Sequence, residues 1–284
     1  LDLINLKIDG IANGEINVLS AMETPELISE LVIDEFVLNG LPYNSFMIAS
    51  TYDNETKKMD LEAGLKFNNS SQGYALQVEG QYYPFKEEES LDATLKFRRF
   101  SIKNISNYLE SFLYSPSGVL VGDVHLKGTP STFYTEGDLT LKTFNSKIAY
   151  LGAQIQSSSE KIYLDKNGIH FKNFVITDQH SQKAYINGSI QHKQLSNMLF
   201  DLNLDFEKFL CLNTSKEENE LYYGKAIATG KVSFSGSPEF MTINVDAKTD
   251  QIKRGNTIHV SQLNIPFESD SRIEKDGFIT FVDP

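Results

Sequence analysis

The chain has 284 residues and carries 26 Lys and Arg against 38 Asp and Glu, a formal net charge of −12. This acidity, with no stripe of cationic residues, argues against nucleic acid and anionic membrane surfaces as partners. Apolar residues make up 40% of the chain, which excludes wholesale disorder, and the single cysteine, Cys211, excludes an internal disulfide and a Cys-based zinc site.

The first residues, Leu1-Asp2-Leu3, do not resemble a signal peptide, and targeting signals are expected outside this chain. The chain begins at Leu1 without a Met, and no apolar run approaches the roughly 18 residues of a membrane-spanning helix. It stops at Phe281–Pro284 in the middle of a strand-like pattern. We therefore expect the chain to be a segment of a longer protein. Its own length of 284 residues is enough for one or two domains.

Apolar and polar residues alternate along most of the chain. Residues 31–38 are predicted as a strand, in spite of a helix-start pair at Thr24-Pro25. Clear alternation follows at residues 59–67, 74–82, 91–97, 184–190 and 200–206. Each run indicates a strand with one apolar face and one polar face, and the Asn- and Gly-rich segments between runs suit hairpin turns.

Two short stretches interrupt this alternation. Residues 106–113 space their apolar side chains at helical intervals, with Ser106 as a candidate cap. Residues 207–212 fit either a turn of helix or the continuation of a strand. The predicted fold is therefore all-β, built mainly of antiparallel hairpins, with one or two short helices.

One segment of the chain occurs twice. Residues 122–130 and 230–238 share four of nine positions and both end in Gly-x-Pro. Repetition at this spacing is typical of an array of strands, although two strands bounded by Gly and Pro can also match by coincidence.

No group of residues has the spacing of a catalytic or metal site. The five histidines form no metal-binding pair, and most fall at polar-face positions of predicted strands. Asp165-Lys166-Asn167-Gly168 begins like a calcium loop but lacks the later acidic ligands, so a hairpin turn is favoured. We predict no enzyme activity, no catalytic residue, no metal and no cofactor.

Several segments, in their order, resemble the TamB family of the AsmA-like superfamily. They are residues 168–178, 184–192, 222–236 and 243–249, and the forms from Bacteroidetes-type bacteria are the most similar. The resemblance covers about residues 100–266 well and the start of the chain only in general character. It implies one continuous β-groove, with residues 1–100 as its N-terminal part and residues 101–284, including the repeat, as its TamB-like C-terminal part.

The resemblance also implies a function. It predicts a long, strongly curved antiparallel or mixed sheet, called a β-taco, whose inner surface binds phospholipid for transport between the inner and outer membranes. The implied location is the periplasm, with an inner-membrane anchor outside this chain. An outer-membrane barrel protein of the TamA or BamA type is the implied partner, through regions also outside this chain. Assembly of outer-membrane proteins is the older interpretation of the family.

The alternation agrees with such a groove. About 18 strand-like runs at about 4.8 Å each would make a groove of roughly 85 Å. An apolar trough can hold acyl chains without any specific polar site, so the candidate site is the apolar face itself. The residues expected to face lipid are Leu61, Leu65, Leu76, Val78, Leu95, Val124, Leu126, Ile186, Ile190, Leu202, Leu204, Val232, Phe234, Ile243 and Val245.

Other classes of protein share this alternation. The same side chains would pack on each other in a closed core if the chain were a structural or adhesive β-module. Exposed strand edges could instead scaffold nascent outer-membrane strands by β-augmentation. A porin-type barrel and a carbohydrate-active sandwich are less favoured, because the chain has no Trp for an aromatic girdle and no recognisable carboxylate pair.

Overall fold

A computed structural model describes most of the chain. It covers residues 7–19, 26–68, 73–110, 112–149, 151–193, 196–220, 222–238, 240–254 and 257–264. The strand-like residues 281–284 lie outside these ranges.

The described residues form 18 strands and one short 3₁₀ helix, Ile102–Tyr108. The first nine strands are β1 (Ile8–Leu19), β2 (Glu26–Leu38), β3 (Leu41–Pro42), β4 (Ser45–Asp53), β5 (Lys58–Lys66), β6 (Tyr74–Tyr82), β7 (Leu91–Ser101), β8 (Leu113–Thr129) and β9 (Thr132–Ile148). The others are β10 (Gln154–Asp165), β11 (Gly168–Asp178), β12 (Lys183–Lys193), β13 (Ser196–Thr214), β14 (Tyr223–Gly236), β15 (Met241–Thr249), β16 (Gln251–Arg254), β17 (Thr257–Val260) and β18 (Gln262–Asn264).

Sixteen of these strands form one antiparallel sheet in the order β1-β2-β4-β5-β6-β7-β8-β9-β10-β11-β12-β13-β14-β15, with β3 beside β2 and β18 beside β14. Strands β16 and β17 form a separate hairpin. Almost every strand pairs with its neighbour in sequence, as expected for a chain punctuated by Asn- and Gly-rich turns. The predicted all-β fold of antiparallel hairpins is confirmed.

The two interruptions of the alternation have different structures. The helix comes at Ile102–Tyr108, before the predicted 106–113, and Leu113 already begins β8. Its position is set by tertiary contacts, since Ile102 and Asn104 are buried. Residues 207–212 belong to β13, so the strand continuation is the correct one of the two predicted structures.

In the part of the chain that the structure describes, no helix is long and apolar enough to cross a membrane.

The chain divides into two compact units. Unit 1 comprises residues 1–107, 118–142 and 163–167, and unit 2 comprises residues 108–117, 143–162 and 168–284. The predicted boundary at residue 100 marks where the resemblance to a known family becomes strong. Compact units do not test such a boundary, so it remains a prediction.

Part of the core of unit 1 lies beside the 3₁₀ helix. Asn104, only 1% exposed, donates its side-chain N–H to the Tyr43 hydroxyl at 2.8 Å. The side chain of Asn39 in turn donates to the Asn104 backbone carbonyl. These bonds tie the helix to the segment of residues 39–43. The buried side chains of unit 1 include Phe36, Leu38, Tyr43, Phe100 and Ile102.

The core of unit 2 includes a cluster formed by Leu210, Ile227 and Ile252. Beside it, the buried carboxylate of Asp178 accepts backbone N–H groups from His180 and Gln182 in its own hairpin and from Leu210 of β13. These three bonds satisfy the carboxylate and fix the β11–β12 turn against β13.

Candidate functional site

One face of the sheet in unit 1 is lined by aliphatic side chains that lie directly opposite each other on successive strands. Ala63 pairs with Val78, Val78 with Leu95, and Leu95 with Val124. Directly opposed residues of an antiparallel pair share a face of the sheet. Two parallel rows on this face contain the other predicted residues of unit 1, Leu61, Leu65, Leu76 and Leu126.

Unit 2 has the same arrangement. Ile186 pairs with Leu204, Leu204 with Val232, and Val232 with Val245. The next row runs through Leu202, Phe234 and Ile243, and Ile190 pairs with Phe200 on the same face. In each unit, therefore, the structure brings all the predicted residues onto one face, which we call the apolar face.

Behind these rows, the other face of the sheet, which we call the polar face, carries charged residues in both units. Further along β13 and β14, the buried pair Leu210 and Ile227 lies on that same face. In unit 1, Glu62 lies opposite Glu79, and Lys96 forms an ion pair with Glu79 at 2.5 Å. In unit 2, Asp205 lies opposite Lys231 and forms an ion pair with it at 3.0 Å. This separation of charge from apolar surface leaves aliphatic contact as the chemistry that the apolar face offers a ligand.

The apolar face remains accessible at most of the predicted positions. Leu65 and Val124 are buried, with 2% and 3% of their surfaces exposed. Ile243 and Val245 on β15 are 55% and 42% exposed, and the remaining eleven are partly exposed. In a closed core, most of these side chains would be fully buried, and thirteen of the fifteen are not. That these residues contact lipid stays a prediction.

The sequence analysis missed a second set of residues, the aromatic pairs that flank β-bulges. In β7, β11 and β13 the pairing register shifts between two Phe residues three apart, at Phe97/Phe100, Phe171/Phe174 and Phe206/Phe209. Strict alternation would place residues i and i+3 on opposite faces, but the extra residue of a bulge returns both rings to the same face. The sequence signal is two polar residues enclosed by Phe within an alternating strand.

A residue with positive φ marks two of these bulges and two similar segments. Asn173 and Lys208 have φ of 49° and 50°, and Glu35 and Thr143 have φ of 51°. The last two lie in segments with the same pattern, Ile33-Asp34-Glu35-Phe36 and Leu141-Lys142-Thr143-Phe144. The final Phe of all five segments is buried, namely Phe36, Phe100, Phe144, Phe174 and Phe209.

The bulges also explain the repeated segment. Its first glycine lies directly opposite the first Phe of a bulge in both copies, Gly122 opposite Phe97 and Gly230 opposite Phe206. The repeat therefore extends to a pair of strands, β7 with β8 and β13 with β14. Gly188 opposite Phe171 gives a third example of the same pairing.

In the part of the chain that the structure describes, titratable side chains do not form a site on the apolar face. His125 lies exposed on the polar face, within 3.2 Å of the Thr94 hydroxyl. Burial, as the larger cause, and the nearby Asp178 carboxylate together raise the pKa of the Cys211 thiol to about 12. Among the described residues, no three His, Cys, Asp or Glu side chains are placed to hold a metal ion.

Unit 2 also contains a cleft of about 1080 Å³ on its polar side, beside the β16 strand. Four lysines and several acidic residues line it. Asp205 forms an ion pair with Lys231, and the Asp250 carboxylate accepts a hydrogen bond from the Thr229 hydroxyl at 2.8 Å. The mixture of both charges gives the cleft no single ligand preference. The lysines are Lys183, Lys208, Lys231 and Lys253.

Comparison with known proteins identifies one part of the chain. Residues 172–254 match the family model described as the TamB C-terminal domain. Neither a curated protein nor a solved structure gives a significant match. The predicted resemblance to TamB is confirmed over the matched residues, which include β12, β13, β14 and β15 and eight of the predicted residues of the apolar face.

Proposed function

We propose that this chain, whose residues 172–254 are TamB-like, binds phospholipid acyl chains along its apolar face and conducts them between the inner and outer membranes. It thereby serves the biogenesis of the outer membrane. The TamB family is not known for enzymes, and transport of this kind requires no chemistry from the protein.

A single observation supports this proposal most strongly: rows of directly opposed aliphatic side chains stay partly exposed on successive strands. The row Ile186, Leu204, Val232 and Val245 crosses four strands of unit 2 without a polar residue. Neighbouring strands thus offer a bound chain nearly equal contacts, so that displacement by one strand changes its binding free energy little. That is the property which a conduit needs.

Aliphatic contact alone is strong enough to hold a lipid. Full burial of a 16-carbon chain at about 0.8 kcal/mol per CH₂ yields roughly 13 kcal/mol, before losses for ordering the chain. The polar headgroup then remains in water beside the sheet. A ligand held in this way needs no anion-binding pocket on the apolar face.

The family match also supports a location in the cell envelope. We place the chain in the periplasm, attached to the inner membrane by a segment outside residues 1–284. Its partner is an outer-membrane barrel protein of the TamA or BamA type, contacted through regions that are likewise outside this chain.

Extraction of the purified protein with organic solvent, followed by mass spectrometry, tests the proposal. The protein is prepared from bacterial envelopes without detergent, beside a soluble β-sandwich of similar size as a contamination control. We expect phospholipid well above the stoichiometry found in the control. Lipid at the control level would instead favour a structural β-module.

A scaffold for nascent outer-membrane strands is the second candidate, favoured by β15. This strand ends the hydrogen-bonded order of the sheet, and seven of its nine residues are exposed. Such an edge can accept another strand by β-augmentation. Replacing Asn244 by Pro blocks backbone pairing at one position of β15 and tests this role. Loss of barrel assembly with unchanged lipid content would favour the scaffold over the conduit.

A further inference from the structure

Two of the aromatic pairs have the same geometry in different units. The ring centroids of Phe97 and Phe100 in unit 1 lie 5.5 Å apart at an interplanar angle of 84°. Phe171 and Phe174 in unit 2 have the same separation and the same angle. This edge-to-face arrangement is a favoured contact between aromatic rings, and it holds each ring in one orientation.

The two rings of each pair differ in accessibility. Phe100 and Phe174 are buried, with 8% and 4% of their surfaces exposed. Phe97 and Phe171 come just before the bulge in each strand and lie on the same face as their partners, and both remain partly exposed. We call Phe97 and Phe171 the outer rings and Phe100 and Phe174 the inner rings.

Each outer ring lies opposite a position that cannot carry a side chain. Gly122 faces Phe97 and Gly188 faces Phe171, with φ of 146° and 126°. A Cβ on either glycine would collide with a backbone carbonyl of the following strand, that of Asp138 or Asp201. The position directly opposite each outer ring therefore carries no side chain that could cover the ring.

We infer that Phe97 and Phe171 are the principal acyl-chain contacts of their units, each positioned by the buried inner ring beside it. This inference rests on the proposed function and names the residues through which it acts. A rigid ring loses less conformational entropy on binding than a mobile aliphatic side chain, and a phenylalanine side chain carries more apolar surface than a leucine or a valine.

The two rings of a pair consequently have separable roles. Replacing an outer ring by Ala removes ligand contact, while the inner ring and the bulge remain in place. Replacing an inner ring by Ala opens a cavity in the core and is expected to destabilise the unit. Phe97→Ala and Phe100→Ala form one matched pair of variants, and Phe171→Ala and Phe174→Ala form the second.

Photo-crosslinking tests the inference on the chain of residues 1–284. Benzoyl-phenylalanine is placed at position 97, 171 or 126 of the apolar face. The control position is Tyr185 of β12, which is 41% exposed and lies on the polar face opposite Asp205. The probe is a vesicle of phosphatidylethanolamine and phosphatidylglycerol with a tritiated acyl chain. We expect several-fold more labelled protein from positions 97 and 171 than from position 185.

The other outcomes separate this inference from the proposed function. Labelling at position 126 without labelling at 97 and 171 would overturn the role of the outer rings and leave the conduit standing. Labelling at none of the three apolar positions would overturn both. In parallel, Phe97→Ala should lower bound lipid several-fold with little change in melting temperature, whereas equal loss of lipid and folding in Phe97→Ala and Phe100→Ala would show a merely structural role.

Discussion

Two neighbouring side chains on the apolar face of β8 differ in burial, so substitutions at them distinguish a packing role from a ligand-binding role. Val124 is 3% exposed, whereas Leu126, two residues later on the same face, is partly exposed. Val124→Asp buries an unpaired charge, and we expect the free energy of unfolding to fall by at least about 3 kcal/mol. Leu126→Asp can keep its carboxylate hydrated and should fold, but with less bound lipid.

Urea denaturation and lipid extraction of the two variants check this prediction. His125→Asp, at the exposed polar-face residue between them on β8, is the control for added charge and should change neither property much, because it lies opposite the uncharged Thr94. Unfolding of Leu126→Asp to the same extent as Val124→Asp would mean that the apolar face is a closed core, and the conduit would then lose its structural basis.

The Cys211 thiol reports on the folding of β13. Its pKa is raised by burial from an ordinary value of 9.0 to about 12. Only the thiolate reacts with iodoacetamide, so at pH 8 we expect alkylation to be about a thousandfold slower in the folded chain than in urea. Because the folded state holds the thiol proton more tightly, this group's contribution to stability is present below pH 9 and is lost as the pH rises towards 12.

Alkylation followed by mass spectrometry measures this difference, and the chain contains no second cysteine to confuse the signal. Cys211→Ser is the control for changes in stability between pH 8 and pH 10. Rapid modification of the native protein at pH 8 would show that this part of β13 opens readily.

The bulges are the elements that keep the apolar face continuous, and Lys208 tests one of them. Its φ of 50° is unfavourable for a residue with a Cβ. Lys208→Gly should therefore be more stable than Lys208→Ala by about 1 kcal/mol, since both variants remove the same charge and only Ala retains the strain. Urea denaturation compares the two. Greater stability of the Ala variant would mean that β13 reaches its register without this conformation.

The strands were predictable because alternation is local, and the bulges were not because they interrupt it. Residues 200–206 alternate clearly and were assigned correctly to a strand, while 207–212 remained ambiguous between helix and strand. One extra residue at Glu207-Lys208 returns Phe209 to the face of Phe206, and the register shifts a second time between Leu210 and Leu212. Short windows on either side of a bulge therefore give contradictory periods.

The residues of the apolar face followed from the same alternation, but their exposure did not. Leu65 and Leu76 have equivalent sequence surroundings and lie directly opposite each other, yet only Leu65 is buried. The position of the short helix was missed for a related reason. The hydrogen bonds of Asn104 to Tyr43 and Asn39 join residues about 60 positions apart, which no local pattern records.

The charge of the whole molecule bears on how it meets a membrane. The net charge is −12. On the polar face, acidic residues lie directly opposite each other at two positions, where Glu15 faces Glu30 and Glu62 faces Glu79. Repulsion between this surface and anionic vesicles should slow lipid uptake at low ionic strength. Uptake from zwitterionic vesicles should depend little on salt.

Transfer of a fluorescent phospholipid from vesicles to the protein measures this effect. Raising the salt from about 0.01 M to about 0.15 M shortens the screening length from about 30 Å to about 8 Å. We therefore expect the initial rate from phosphatidylglycerol vesicles to rise several-fold and that from phosphatidylcholine vesicles to stay constant. Faster uptake from anionic vesicles at low salt would contradict this prediction and would mean that the four lysines of the cleft outweigh the acidic residues beside them. The quadruple replacement of Lys183, Lys208, Lys231 and Lys253 by Gln should then abolish the difference, because the rest of the molecule carries the charge of the vesicle.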